Sequence, residues 1–222
     1  MTNFVTPEMI ANMKSSMHLA KPFYRPKMSV SLGKSTIHLW VAERKLPGLI
    51  FTPLYSGGKL CMVAPVAPDL KMAFSIAKVI RDYSGDLVQY EALSAAPLAQ
   101  GKAFLGLGAK YKYAYTALAV IFDEYKRTST SAIQSALKRS AELASQKGCK
   151  GMIIPDFTSN IVPQPNWLQK TAAMKEAEST AASMMSGIAA IRDTMPVIHI
   201  WCWCEDYAPF YTRELERLKK AR

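Results

Sequence analysis

The feature that most constrains the fold is an alternation in the C-terminal two thirds, where short apolar runs of strand length are separated by stretches with helical spacing. Ala103 to Leu107 and Tyr111 to Phe122 read as strands. Ser129 to Lys147 reads as a helix, with Ile133, Leu137, Ala141 and Ala144 on one stripe, Leu143 beside it and Gly148 to stop it. Gly151 to Ile154 is a short buried strand ended by Pro155 and Asp156, and Trp167 to Arg192 is an Ala- and Met-rich helix. Val197 to Cys204 is an apolar strand apart from His199, and Glu205 to Lys220 closes as a helix. Strands that alternate with helices build an α/β sandwich around a largely parallel sheet.

The N-terminal third is less regular. Met28 to Leu32 and Thr36 to Val41 alternate as strands around a Gly33-Lys34 turn. Leu49 to Leu54 and Leu60 to Val66 read as two more, joined by Ser56-Gly57-Gly58. Lys71 to Tyr83 has helical spacing, with Met72, Ile76, Val79 and Ile80 together. Residues 1–27 show no long period, and form a basic extension ahead of one α/β domain spanning residues 28–222.

Charge narrows the function. The 222 residues hold 28 Lys and Arg against 17 Asp and Glu, a net +11. Residues 1–60 carry Lys14, Lys21, Arg25, Lys27, Lys34, Arg44, Lys45 and Lys59 against only Glu8 and Glu43, so over half of the excess lies in about a quarter of the chain. Such asymmetry points to an anionic partner. Aromatics sit among the cations at Phe23-Tyr24-Arg25-Pro26-Lys27, at Lys110-Tyr111-Lys112-Tyr113-Ala114-Tyr115 and at Tyr125-Lys126-Arg127. Bases stack on aromatic faces while Lys and Arg neutralise phosphates. In the second cluster a strand would put both lysines on one face and the tyrosines on the other.

Other chemistries find little support. No apolar run reaches the roughly 20 residues of a membrane span, and Met1 to Ser16 lacks the pattern of a secretory signal. Cys61, Cys149, Cys202 and Cys204 form no C-x-x-C pair and read as reduced thiols of a cytosolic protein. His18, His38 and His199 are scattered, and His199 reads as a hydrogen-bonded core residue. Glu205-Asp206 suits a helix start, and Met174, Met184 and Met185 suit a core. Leu32-Gly33-Lys34-Ser35-Thr36 is similar to the tail of a P-loop, but Met28 stands where that motif needs its first glycine. No cofactor or metal is expected.

The order of elements from Met28 to about residue 218 resembles the macro domain, the ADP-ribose-binding family. The pieces that carry it are Gln100 to Gly108 with Ala109-Lys110-Tyr111, the helix and turn from Ala132 to Gly151, the strand and loop from Met152 to Asn160, and Val197 to Tyr207. The resemblance implies a three-layer α/β/α mixed sheet. The ligand loops depart from the family pattern. Gly33-Lys34-Ser35-Thr36 is the best match to the family's adenine-reading "G-D-I-T", with a cation for the carboxylate. Ala64-Pro65-Val66-Ala67 stands for "N-A-A-N". Lys71 to Ile76 aligns with the glycine-rich diphosphate loop without a glycine. Thr158 to Pro163 aligns with the second phosphate loop, where Pro163 has no N–H to offer. No Asn-plus-carboxylate set is present to position a water for ADP-ribose hydrolysis.

These readings imply a non-catalytic nucleic-acid-binding protein on a degenerate macro-like scaffold, with single-stranded RNA preferred. Lys21, Arg25, Lys27, Lys34, Lys110, Lys112, Lys126 and Arg127 are the phosphate candidates. Tyr24, Tyr111 and Tyr113 are the stacking candidates. The alternative is an ADP-ribose or nucleotide-metabolite cleft of Lys34, Asp69, Lys71, Ser75, Ser159 and Asn160. The overall character also resembles the early RNA-binding proteins of nucleus-forming jumbo phages, which implies a host-cytoplasmic setting.

Overall fold

The structure is a computed structural model and describes residues 26–41, 59–73, 75–108, 114–158, 170–202 and 204–220. One seven-stranded sheet runs through it. The strands are β1 (Met28–Leu32), β2 (Ser35–Val41), β3 (Leu60–Val66), β4 (Ala103–Leu107), β5 (Tyr115–Val120), β6 (Gly151–Pro155) and β7 (Val197–Cys202), in the order β1-β2-β7-β6-β3-β5-β4. The five central strands are parallel to their neighbours, and β1 and β4 close the edges antiparallel to β2 and β5. The sheet is therefore mixed with a parallel centre, as the alternation of elements required.

Helices cover both faces. On one lie α1 (Ser75–Ser84) and α2 (Leu87–Leu93), against a core of Leu60, Met62, Ile80, Val88, Leu118 and Ile153. On the other lie α3 (Thr130–Gln146), α4 (Lys170–Ala190) and α5 (Ala208–Lys220), over Val63, Ala119, Met152, Ile198 and Ile200. Alternate residues of one strand feed the two cores because successive side chains point to opposite faces.

Local signals explain α3. Ser129 is extended, and its hydroxyl accepts from the Ala132 N–H at 3.2 Å. Gly148 ends the helix with φ +77°, a left-handed conformation that a Cβ would strain. Small residues let α3 and α4 approach closely. A Cβ on Gly187 would meet Leu137 Cδ1 at 2.8 Å. Polar bonds cross the same seam from Thr130 to Ser183 and from Gln134 to Ser186, both 2.7 Å. Met184 and Met185 are fully buried, as expected of a core helix.

Several boundaries differ from the sequence reading. The first helix begins at Ser75 rather than Lys71, because residues 71–73 are tied into a loop. Helix α2 was not expected. Strand β5 begins at Tyr115, and residues 109–113 lie outside the described residues. Strand β7 ends at Cys202, and a 3₁₀ turn at Glu205–Tyr207 precedes α5. The expected strand at Leu49 to Leu54, the Ser56-Gly57-Gly58 hairpin and the start of the Trp167 helix also lie outside the described residues.

Candidate functional site

In a parallel α/β sheet, ligands bind beyond the carboxyl ends of neighbouring strands whose connections leave to opposite faces. Here β3 meets this condition with both neighbours, β6 and β5, but it pairs with β5 as far as Val66↔Val120 and parts early only from β6. Strand β3 leads to α1 on one face, and β6 leads towards α4 on the other. Their ladder covers only Leu60↔Gly151, Cys61↔Met152 and Met62↔Ile153. Beyond it the strands run on, β3 to Val66 and β6 to Pro155, without pairing to each other. The floor of the candidate site is this parting.

On the β3 side, residues 67–73 form a tightly bonded loop. Leu70 is fully buried with φ +55°. Its N–H bonds to the Ala67 carbonyl at 3.0 Å. The Lys71 N–H donates to Asp69 Oδ1 at 3.1 Å, and the Met72 N–H to Gln89 Oε1 at 2.6 Å. Gln89 Nε2 returns a bond to the Leu70 carbonyl at 3.0 Å. The Lys71 ammonium lies 3.6 Å from Asp69 Oδ2. Three successive N–H groups are therefore consumed inside the protein, although exposed N–H groups are what a phosphate loop offers.

On the β6 side a buried carboxylate organises the chain. Asp156 Oδ1 accepts from the Tyr211 hydroxyl at 2.7 Å and from the Thr158 N–H at 2.8 Å. The Thr158 and Tyr211 hydroxyls are 2.9 Å apart. Burial, then the Asp156 carboxylate, pushes the Tyr211 phenol well above its usual range. Burial does the same to the Cys202 thiol, which donates to the Cys204 carbonyl at 3.1 Å. Sequence reasoning took Asp156 for a turn residue and did not single out Tyr211 or Gln89.

A second polar cluster lies across β2 and β7. Trp40 Nε1 donates to His199 Nδ1 at 3.0 Å, and the His199 and His38 rings stack at 5.2 Å. Trp40 and Trp201 stack at 6.2 Å. His199 is buried, as a hydrogen-bonded core histidine should be, but its Nε2 and the Trp201 Nε1 have no partner among the described residues. Burial, then His38, pushes the His199 imidazole down to about 4.

Among the described residues, the candidates chosen from sequence lie at several places on the sheet. Lys34 is a correction to the cleft set. It sits in the β1–β2 turn, at the amino end of β2, with its N–H 3.2 Å from Asp193 Oδ1. It is a strand length, roughly 20 Å, from the edge that holds Asp69 and Lys71. It cannot join a cleft with them, because Gly33-Lys34 is the β1–β2 hairpin turn and Ser35-Thr36 begin β2 at the amino edge. Gly33 has φ +58° there, and the Ser35 hydroxyl anchors the turn to the Arg192 carbonyl.

Lys27 lies at the carboxyl edge beside β2, its N–H bonded to the Leu39 carbonyl. Lys126 and Arg127 follow β5 near the other end of the sheet, about five strand spacings or ~24 Å away. The three do not form one patch. Arg127 Nε bonds Asp123 Oδ2 at 2.8 Å, and its guanidinium stacks over Tyr125 at 4.9 Å. Ser75 begins α1 at the carboxyl edge. Lys21, Tyr24, Arg25, Lys110, Tyr111, Lys112, Tyr113, Ser159 and Asn160 lie outside the described residues. Gly108 and Ala114, which flank residues 109–113, are bonded to each other at the amino edge. Among the described residues no group of His, Cys, Asp and Glu could hold a metal, and no helix is long and apolar enough to cross a membrane.

A mixed sheet with a five-stranded parallel centre, antiparallel edges and helices on both faces is the macrodomain fold, and comparison with solved structures agrees. The chain is similar to an Oceanobacillus iheyensis macrodomain variant with a TM-score of 0.66 at 12% identity, covering 88% of this chain and 98% of that one. It is similar to the Oceanobacillus iheyensis macrodomain with ADP (0.64, 13%, 88% and 97%). It also matches the Trypanosoma brucei macrodomain in complex with ADP-ribose (0.55, 11%, 69% and 62%). No family model matches the sequence, and neither does any curated protein.

Proposed function

We propose that this chain is a non-catalytic nucleic-acid-binding protein with a preference for single-stranded RNA, built on a macrodomain fold that has given up its nucleotide loops. The observation that carries the reading is the state of the 67–73 loop. Its Leu70, Lys71 and Met72 N–H groups are spent on Ala67, Asp69 and Gln89. A diphosphate would have to break those bonds, whereas the net charge of +11 favours a polyanion without any cleft. The test is fluorescence anisotropy with labelled single-stranded RNA, single-stranded DNA and duplex at about 50 and 200 mM salt. Several phosphate contacts predict a roughly hundredfold or larger fall in affinity between the two, with no displacement by ADP-ribose. No binding at micromolar protein and low salt defeats the reading.

A second reading is favoured by the neighbours crystallised with ADP and ADP-ribose. In it a nucleotide binds at the parting of β3 and β6 beside Asp69 and Lys71, with Ser75, Ser159 and Asn160 the further candidates from sequence. Calorimetric titration with ADP-ribose decides it. The closed loop predicts no heat at millimolar ligand, and saturable heat would restore the cleft.

A further inference from the structure

The amino edge of the sheet, opposite the parted strands, has a different charge from the carboxyl edge. At the carboxyl edge Lys27, Lys71 and Arg127 are interleaved with Asp69, Asp123, Glu124, Glu205 and Asp206. Along the amino ends of β2, β7, β6 and β3 lie Lys34, Lys59, Lys147, Lys150 and Arg192, all exposed, with Asp193 the one acid in this row. Among the described residues Lys34, Lys59, Lys147 and Lys150 form no ion pair, and Arg192 lies 3.6 Å from Asp193.

The sheet sets the spacing. The Lys150 N–H bonds the Lys59 carbonyl at 2.8 Å, so these two residues are neighbours across β6 and β3. Thr36 and Gly151 both pair with Val197, which puts Lys34 and Lys150 two strands apart. Strands lie about 4.8 Å apart, so Lys34, Lys150 and Lys59 span roughly 14 Å in a row. Lys59 and Lys150, one strand spacing apart, are within a Debye length of about 8 Å at physiological salt and repel one another, and Lys34 lies about 10 Å from Lys150. Helix dipoles account for two members only. Lys147 caps α3 and Arg192 follows α4, where a cation offsets the carbonyl end. Lys34, Lys59 and Lys150 follow no helix end directly, and the acid of the row, Asp193, accepts from the Lys34 N–H at 3.2 Å and lies 3.6 Å from Arg192.

We propose that this row is a phosphate-binding surface for a single RNA strand laid across the amino ends of β2, β7, β6 and β3, away from the edge where nucleotide clefts form. It rests on the nucleic-acid reading above and gives that reading a place.

The experiment is the same anisotropy titration on the full chain, with Lys34→Ala, Lys59→Ala and Lys150→Ala combined, and a control pair of Lys78→Ala and Lys102→Ala. All five side chains are exposed, and melting curves verify that both variants fold. Three lost contacts predict that the slope of log affinity against log salt falls by about 2, and affinity by roughly a hundredfold at 0.1 M salt. The control pair stays within about twofold of the parent. A photo-crosslinked RNA then maps to peptides containing Lys59 and Lys150. If the parent binds RNA and the triple variant binds as tightly, or the control pair carries the loss, the surface is wrong and the RNA reading stands. If the parent binds no RNA, both fall.

Discussion

The His199 imidazole is the most sharply testable titrating group in the molecule. It is 2% exposed, accepts from Trp40 through Nδ1, and carries its own proton on Nε2, which has no partner among the described residues. A second proton would land on Nδ1, facing the Trp40 N–H, with the His38 ring at 5.2 Å. The unfolded chain takes up that proton near 6.5, while the folded chain resists it down to about 4. Between those values the unfolded state binds more protons, so stability falls as pH drops through the window. From pH 7 to pH 5 this group alone removes about 2 kcal/mol, or about 4 to 8 °C in Tm for a chain of this size. His199→Asn keeps an acceptor near the Nδ1 position and abolishes the titration. Urea unfolding at the two pH values is the assay. The parent should lose about 2 kcal/mol more than the variant on going to pH 5. Equal losses in the two proteins would refute the assignment and place the pH dependence on another group.

Two further outcomes follow from the buried bonds. Tyr211→Phe removes one donor from the Asp156 carboxylate and should cost about 1.5 to 3 kcal/mol in urea unfolding, and a loss under about 0.5 kcal/mol would contradict the network. Gln89→Met strands the Met72 N–H and the Leu70 carbonyl, so it should cost about 2 kcal/mol or more. It should also speed hydrogen exchange at Met72, and unchanged exchange there would show that Gln89 does not hold the loop.

Much of the scaffold could be read from periodicity. The stripe of Ile133, Leu137, Ala141 and Ala144 and the alternation in β1 and β2 are local signals with the right period. Helix α2 escaped because Leu87, Tyr90 and Leu93 are exposed while Val88, Gln89 and Ala92 are buried, so its inward face includes a polar residue and its outward face three large apolar ones. Gln89 is buried for the sake of a loop 17 residues earlier, a tertiary demand with no sequence period. The Asp156–Tyr211 bond joins residues 55 apart in the same way. Lys34 shows a different limit. A motif alignment compares residues in order, but which end of the sheet a turn occupies depends on strand direction, and the antiparallel β1–β2 hairpin put Lys34 at the amino end.

Pro65 ties the parting of the strands to the choice between functions. A proline within an interior strand deprives the sheet of a ladder donor. Here Pro65 sits opposite Ala119 of β5, and on its other side the ladder to β6 has already ended at Met62. The missing donor is harmless only because β3 and β6 have separated, so the proline and the parting are consistent with each other. A switch point invites a ligand, yet the loop above it turns its N–H groups inward and pairs its one lysine with Asp69. The fold therefore retains the parted strands while spending these donors, and among the described residues Lys34, Lys59 and Lys150 form no ion pair at the far edge. Attraction for phosphate is strongest where cations are exposed and unneutralised, which is why the amino-edge triple variant, compared with the parent, separates the RNA reading from the nucleotide reading.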